Sequence, residues 1–124
     1  MKLFRLNIEV GDLDRAADFY TELLELEGRP QMGGRCYFEA GPVTLQIVQA
    51  ERPQLAAKAL YFAVADVEEV HRRAAALGCL AGGEVHGTPA GQPGVKPWGE
   101  LSFYAQDPWG NPLCFVDEGT IYRG

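Results

Sequence analysis

Pro97-Trp98-Gly99-Glu100-Leu101-Ser102-Phe103-Tyr104, continuing through Asp107-Pro108-Trp109-Gly110-Asn111 into Pro112-Leu113-Cys114-Phe115-Val116, decides how this chain is read. Apolar and aromatic runs flank a cluster of turn formers. Proline fixes φ, glycine and asparagine accept φ > 0, and the short aspartate side chain can accept from the backbone that follows it. The segment therefore reads as strand, tight turn, strand.

Working outward, the end of this segment has a counterpart upstream. Leu113-x-Phe115-Val116 repeats Leu45-x-Ile47-Val48 at an offset of 68 residues, and Leu60-x-Phe62-x-Val64-x-Asp66 repeats Leu6-x-Ile8-x-Val10-x-Asp12 at an offset of 54. The second copy thus carries 14 extra residues, which fall in the Gly- and Pro-rich stretch from Gly82 to Lys96. That composition is a long loop's, serving either as a functional lid or as plain surface.

Within the first copy, Leu3 to Val10 alternate, with Phe4, Leu6, Ile8 and Val10 on one face and Leu3, Arg5, Asn7 and Glu9 on the other, which predicts a half-buried strand. Asp12 can cap a helix whose Leu13, Ala16, Ala17, Tyr20, Leu23 and Leu24 recur at helical spacing until Gly28. That helix packs on the even-numbered strand face. Two strands, Arg35 to Ala40 and Val43 to Gln49, follow around Gly41-Pro42. In the second copy, Asp66 and Glu69 form a capping box for a helix through Val67, Val70, Ala74 and Leu77 to Gly78.

Composition bounds the possibilities. A chain of 124 residues, 47% hydrophobic, makes one domain that needs no metal or disulfide merely to fold. The net charge of −6 with no basic cluster argues against nucleic acid as a partner. No apolar run approaches the roughly 20 residues of a membrane span, and the start Met-Lys-Leu-Phe-Arg lacks a signal peptide's apolar core. The location expected is cytoplasmic. Cys36, Cys79 and Cys114, odd in number and set among apolar neighbours, fit reduced core thiols.

The Pro-Trp-Gly-Glu lead-in with Asp-Pro-x-Gly-Asn resembles the end of the vicinal-oxygen-chelate proteins, the group of glyoxalase I, extradiol dioxygenases and bleomycin-resistance proteins. Pro-Trp-Gly before an aromatic strand is most similar to bleomycin resistance. The resemblance spans nearly the whole chain and implies an α+β fold: one glyoxalase-like domain, 1–124, of two tandem βαβββ modules, about 1–50 and about 58–118. Curled mixed sheets would enclose a cleft, with the helices outside. Arg5, Asn7, Glu9, Thr44, Gln46, Tyr61, Ala63, Cys114 and Val116 would then line it.

Metal-dependent members of that group place a ligand on the first and last strand of each module. The corresponding positions here hold Arg5, Ala59, Gln46 and Cys114. A guanidinium stays protonated, alanine has no donor atom, the glutamine amide is a weak ligand and a thiol is too soft for hard oxygen chemistry. The expectation is metal independence, with no cofactor. His71, on the second helix, reads as solvated, and His86 lies alone in the loop. No nucleophile and base can be paired from the sequence.

The resemblance implies a binding module that sequesters a flat aromatic or cationic small molecule as a homodimer. Trp98, Phe103, Tyr104, Tyr61, Tyr37 and Phe38 offer ring faces, Glu9 and Glu100 offer negative charge, and Arg5, Asn7, Gln46 and Cys114 complete the candidate site. Each aromatic has a competing reading as plain core. The alternative function is a lyase, isomerase or dioxygenase of the same fold, with Arg5 orienting a carboxylate or phosphate and Glu9 or Glu100 as base, or with a metal bound elsewhere. An ion pair with a facing glutamate is the other account of Arg5.

Overall fold

Alternating side chains on each strand must bury one face, and in this chain two helices supply the cover. The computed structural model describes residues 1–124 and resolves them into two compact units, Met1–Ala56 and Ala57–Gly124. The architecture is α+β, with a mixed four-stranded sheet in each unit and no closed barrel.

In the first unit, β1 (Arg5–Val10) leads into helix α1 (Leu13–Leu24), then β2 (Arg29–Gln31), β3 (Arg35–Ala40) and β4 (Val43–Gln49). The sheet order is β1-β4-β3-β2, with β1 parallel to β4 and the remaining pairs antiparallel. Asp12 caps α1 by accepting from the Arg15 backbone N–H. The helix stops at Glu25, which adopts the left-handed conformation at φ 53°, and not at Gly28. Gly28 serves packing instead: a Cβ there would lie 2.9 Å from Phe38 Cζ, so the residue's bareness admits the ring. The buried helix face is Ala16, Phe19, Tyr20 and Leu23. It belongs to a core with Ile8, Val10, Cys36, Phe38, Leu45 and Ile47.

In the second unit, β5 (Leu60–Val64) and α2 (Val67–Ala76) are followed by β6 (Glu84–Val85), β7 (Thr88–Pro89), β8 (Gly94–Val95), β9 (Leu101–Gln106) and β10 (Pro112–Asp117), with a short 3-10 turn at Glu118–Thr120. The main sheet runs β5-β10-β9-β8, with β5 parallel to β10. Asp66 accepts from the backbone of Glu68 and Glu69, but Glu69 does not reach back; it pairs with Arg72 and Arg73, so only half of the capping box forms. Gly78 at φ +67° ends α2, and its N–H and that of Cys79 bond to the Ala75 and Ala74 carbonyls. Phe115 stacks between Phe62 and Phe103, each at 5.4 Å between centroids.

The stretch read as a long loop is organised. His86 and Gly87, both at positive φ, turn the β6–β7 hairpin. β8, the Ala81 N–H and the Ala90 carbonyl cover the outer edge of β9. The Pro97-Trp98-Gly99 lead-in is a turn, with β9 starting only at Leu101. Lys96 N–H bonds to the Glu100 carbonyl and Gly99 N–H to that of Lys96, which leaves no ladder for these residues to join.

Candidate functional site

Because side chains alternate along strands, each sheet turns one face away from its covering helix, and there most of the candidate residues gather. In the first unit, Arg5, Asn7, Glu9, Tyr37 and Gln46 share the face away from α1. Gln46, only 7% exposed, stands between Asn7 and Tyr37 in register and donates from Nε2 to Asn7 Oδ1 at 2.9 Å. The Arg5 guanidinium carbon lies 4.9 Å from the centre of the Tyr37 ring and 5.2 Å from that of Phe4. It meets no carboxylate, which removes the ion-pair account of this residue. Glu9 accepts from the Gln54 N–H at 3.0 Å.

Arg35, absent from the residues expected, belongs to the same face. Its Nε donates to the Met32 carbonyl at 2.8 Å, its Nη1 donates to Gln46 Oε1 at 3.3 Å and reaches the Tyr37 hydroxyl at 3.4 Å, and its carbon lies 5.9 Å from the Tyr37 ring centre. The Arg35-x-Tyr37 alternation was the signal that could have found it.

In the second unit, Tyr61, Tyr104 and Cys114 are cross-strand neighbours on the face away from α2. The Tyr61 and Tyr104 hydroxyls lie 3.1 Å apart and their rings meet edge to face. Burial, with the Tyr61 hydrogen bond, pushes the Tyr104 hydroxyl well above the ordinary phenol range. Burial also lifts Cys114 to about 11, against weaker lowering by hydrogen bonds from Ser102 and Tyr104, so it remains a thiol at neutral pH. Lys96, 3% exposed, donates to the Ser102 and Gly94 carbonyls at 2.9 and 3.1 Å. Nothing in its Gly- and Pro-rich surroundings marked it in the sequence.

Trp98 and Glu100 sit together at the turn before β9. Trp98 Nε1 donates to Glu100 Oε1 at 2.7 Å, and the Tyr122 N–H donates to the other oxygen at 2.9 Å. The His86 ring packs edge-on against Trp98 at 5.0 Å.

Two expected residues leave the site. Phe38 is fully buried against Tyr20 and Gly28, because its parity along β3 is that of Cys36 and points to the helix. Phe103 is fully buried between Phe115 and the His71 ring, again on the helix side. His71 is half-buried rather than solvated, with Nε2 3.0 Å from the Gly91 carbonyl.

Two tandem units of one β-α-β-β-β plan, a hairpin added to the second, define a class, and the comparisons agree. The chain belongs to the Glyoxalase/Bleomycin resistance protein/Dioxygenase superfamily, whose model matches residues 2–115. Among solved structures it is similar to a glyoxalase/bleomycin resistance protein from Albidiferax ferrireducens, with TM-score 0.75 and 22% identity, over 93% of this chain and 98% of that one. It is also similar to the bleomycin resistance determinant encoded on the transposon Tn5, with TM-score 0.72 and 18% identity over 94% and 98%. A third is the oxidase ChaP-H2, with TM-score 0.77 and 23% identity over 94% and 93%. At these identities the likeness is one of fold. No functionally curated protein matches the chain.

Proposed function

We propose that this chain is a small-molecule-binding member of its superfamily that holds a flat aromatic compound without transforming it. The observation that carries this reading is Tyr61: the residue stands 59% exposed on a sheet face, its hydroxyl already partnered by Tyr104. An exposed ring anchored by its polar end offers a stacking surface at little entropic cost, and each stacked ring contributes about 1 kcal/mol beyond area burial. Tyr37, on the first unit's sheet, and Trp98, at the turn before β9 in the second, each offer ring surface of their own.

The geometry favours binding over turnover. Glu9 and both oxygens of Glu100 already accept backbone or side-chain donors, and the Cys114 thiol is held protonated, so neither a free base nor a nucleophile stands on these faces. The same engagement of the two glutamates weakens the case for a cationic ligand. The four family metal positions do not fit a divalent ion. Arg5 is a cation on a tyrosine ring, the Gln46 amide is committed to Arg35 and Asn7, Ala59 has no donor, and Cys114 is a buried thiol. No three His, Cys, Asp or Glu side chains are grouped to replace them.

The reading extends to a metal-independent, cytoplasmic homodimer with no nucleic-acid or membrane partner. Exposed apolar side chains on and before β1 support self-association, free buried thiols suit a reducing compartment, and no helix is long and apolar enough to cross a membrane. The test is a thermal-shift screen of planar aromatic compounds followed by mass analysis of each hit. Stabilisation with the compound recovered unchanged supports the reading; conversion of a hit to product turns it towards the enzyme alternative.

A further inference from the structure

The first unit's sheet face away from α1 carries Arg5, Arg29, Arg35, Glu9 and Glu39, and two of its guanidiniums meet no carboxylate. Arg29 finds a carboxylate in Glu39 of the same sheet, and Arg72 and Arg73 find one in Glu69 on α2. Arg5 and Arg35 do not. Glu39, in the cross-strand row of Arg5 through Thr44, is already taken by Arg29 and the Thr44 hydroxyl. Glu9 turns to the Gln54 N–H. The side chain at the centre of the face is the neutral amide of Gln46, which orients Arg35 without cancelling its charge.

The hydrogen bonds show which edges remain. Arg35 spends Nε on the Met32 carbonyl and Nη1 on Gln46 and Tyr37, and its Nη2 edge is unbonded. Arg5 is held only by ring faces, so all of its N–H donors are available. A guanidinium laid on an aromatic face keeps its fork rigid and loses less entropy when it binds, which suits a carboxylate or phosphate better than a flexible lysine would. Both guanidiniums reach the one Tyr37 side chain, which brings the two cations to the same part of the face.

We propose that Arg5 and Arg35, set about Tyr37, form an oxyanion subsite, and that the ligand is an anionic aromatic carrying a carboxylate or phosphate. This rests on the binding function proposed above and gives a sign of charge to a ligand held on the first unit's sheet. Gln46 and Asn7 are positioning residues: the Asn7-Gln46-Arg35 chain sets the guanidinium's direction.

Benzoate, phenyl phosphate and benzyltrimethylammonium, titrated separately into protein with nitrogen-15-labelled arginine, test the proposal. At least one anion should move the Arg5 and Arg35 Nε–H signals together and bind ten times more tightly than the cation. Arg5→Gln should weaken that anion at least tenfold, whereas Arg72→Gln, which makes the same change of net charge on α2, should leave it within a factor of two. Response to benzoate alone assigns a carboxylate, to phenyl phosphate alone a phosphate, and to both a general oxyanion site. Arg5 is exposed, so its variant folds even where Arg35→Gln fails to. Equal weakening by Arg72→Gln, or arginine signals unmoved by both anions, overturns the subsite. If benzyltrimethylammonium or neutral aromatics still bind, the general binding function survives that failure; if no probe binds, both fall.

Discussion

Asp107 and Asn111 lock the turn between β9 and β10 against each other. Asp107 Oδ1 accepts from the Asn111 backbone N–H at 2.8 Å and from the Trp109 N–H at 3.0 Å, while Oδ2 accepts from Asn111 Nδ2 at 2.8 Å. Both residues are buried, at 3% and 0% exposure, so water cannot replace these bonds. Asp107→Ala should cost about 2 to 4 kcal/mol, because it strands buried donors. Chemical denaturation checks this, and a midpoint within error of the parent would show that the turn closes without the carboxylate.

The repeat in the sequence proves to be strand register. Leu6 pairs with Leu45 and Leu60 with Leu113, Ile8 with Ile47 and Phe62 with Phe115, so the offsets of 54 and 68 are what equivalent parallel pairs require. Alternation also gave the faces. Phe38 and Phe103 carry rings suited to a ligand, but their parity, shared with the buried Cys36 and Ala105, turns them into the core. Lys96 and His71 were beyond reach. Lys96 is buried only because the segment around β8 folds onto the edge of β9, and His71 because Phe103 lies under it; neither contact leaves a local periodicity.

Stability should fall in alkali. Burial lifts the thiols of Cys79 and Cys114 from 9.0 to about 11. Below pH 9 both are protonated, folded or unfolded, and their contribution is fully present. Above that, the unfolded chain loses protons that the folded chain keeps, so the contribution declines as pH rises and is lost through about 11, by roughly 2 kcal/mol per thiol. Denaturation midpoints measured across this range should drop, and Cys79→Ala with Cys114→Ala should remove much of the slope. An unchanged slope in that double variant would locate the alkaline sensitivity elsewhere.

The purified protein should carry no stoichiometric divalent metal, given Arg5, Gln46, Ala59 and Cys114 at the four family positions. Elemental analysis should return far less than one zinc, nickel, manganese or iron per chain. About one ion per chain would overturn metal independence and point to ligands other than these four.

Self-association should be visible as mass. Leu3 and Phe4 stand 66% and 61% exposed, and Leu6 37%, an apolar run that water tolerates poorly. Light scattering at micromolar concentration should give twice the chain mass of 13.6 kDa, and Phe4→Asp should shift the equilibrium towards the monomer. A parent protein that scatters as a monomer would remove the dimer.

Trp98 should act on ligand affinity far more than on stability. Its ring is 37% exposed, tied by Nε1 to Glu100 and edged by His86, so truncation removes one exposed hydrogen bond and part of a surface contact. Trp98→Ala should therefore cost about 1 kcal/mol, against about 3 to 5 for Phe103→Ala, whose ring is wholly buried between Phe115 and His71. Affinity for an aromatic hit should fall at least tenfold in Trp98→Ala, since a half-covered indole is the kind of surface on which binding energy concentrates. Trp109→Ala should leave that affinity unchanged, because the turn it belongs to is held through the Asp107 carboxylate and the Trp109 backbone. Denaturation midpoints and ligand titrations on the three variants decide the matter. If Trp98→Ala destabilises as much as Phe103→Ala and binds ligand as the parent does, the indole is a structural plug and the turn before β9 contributes nothing to the site.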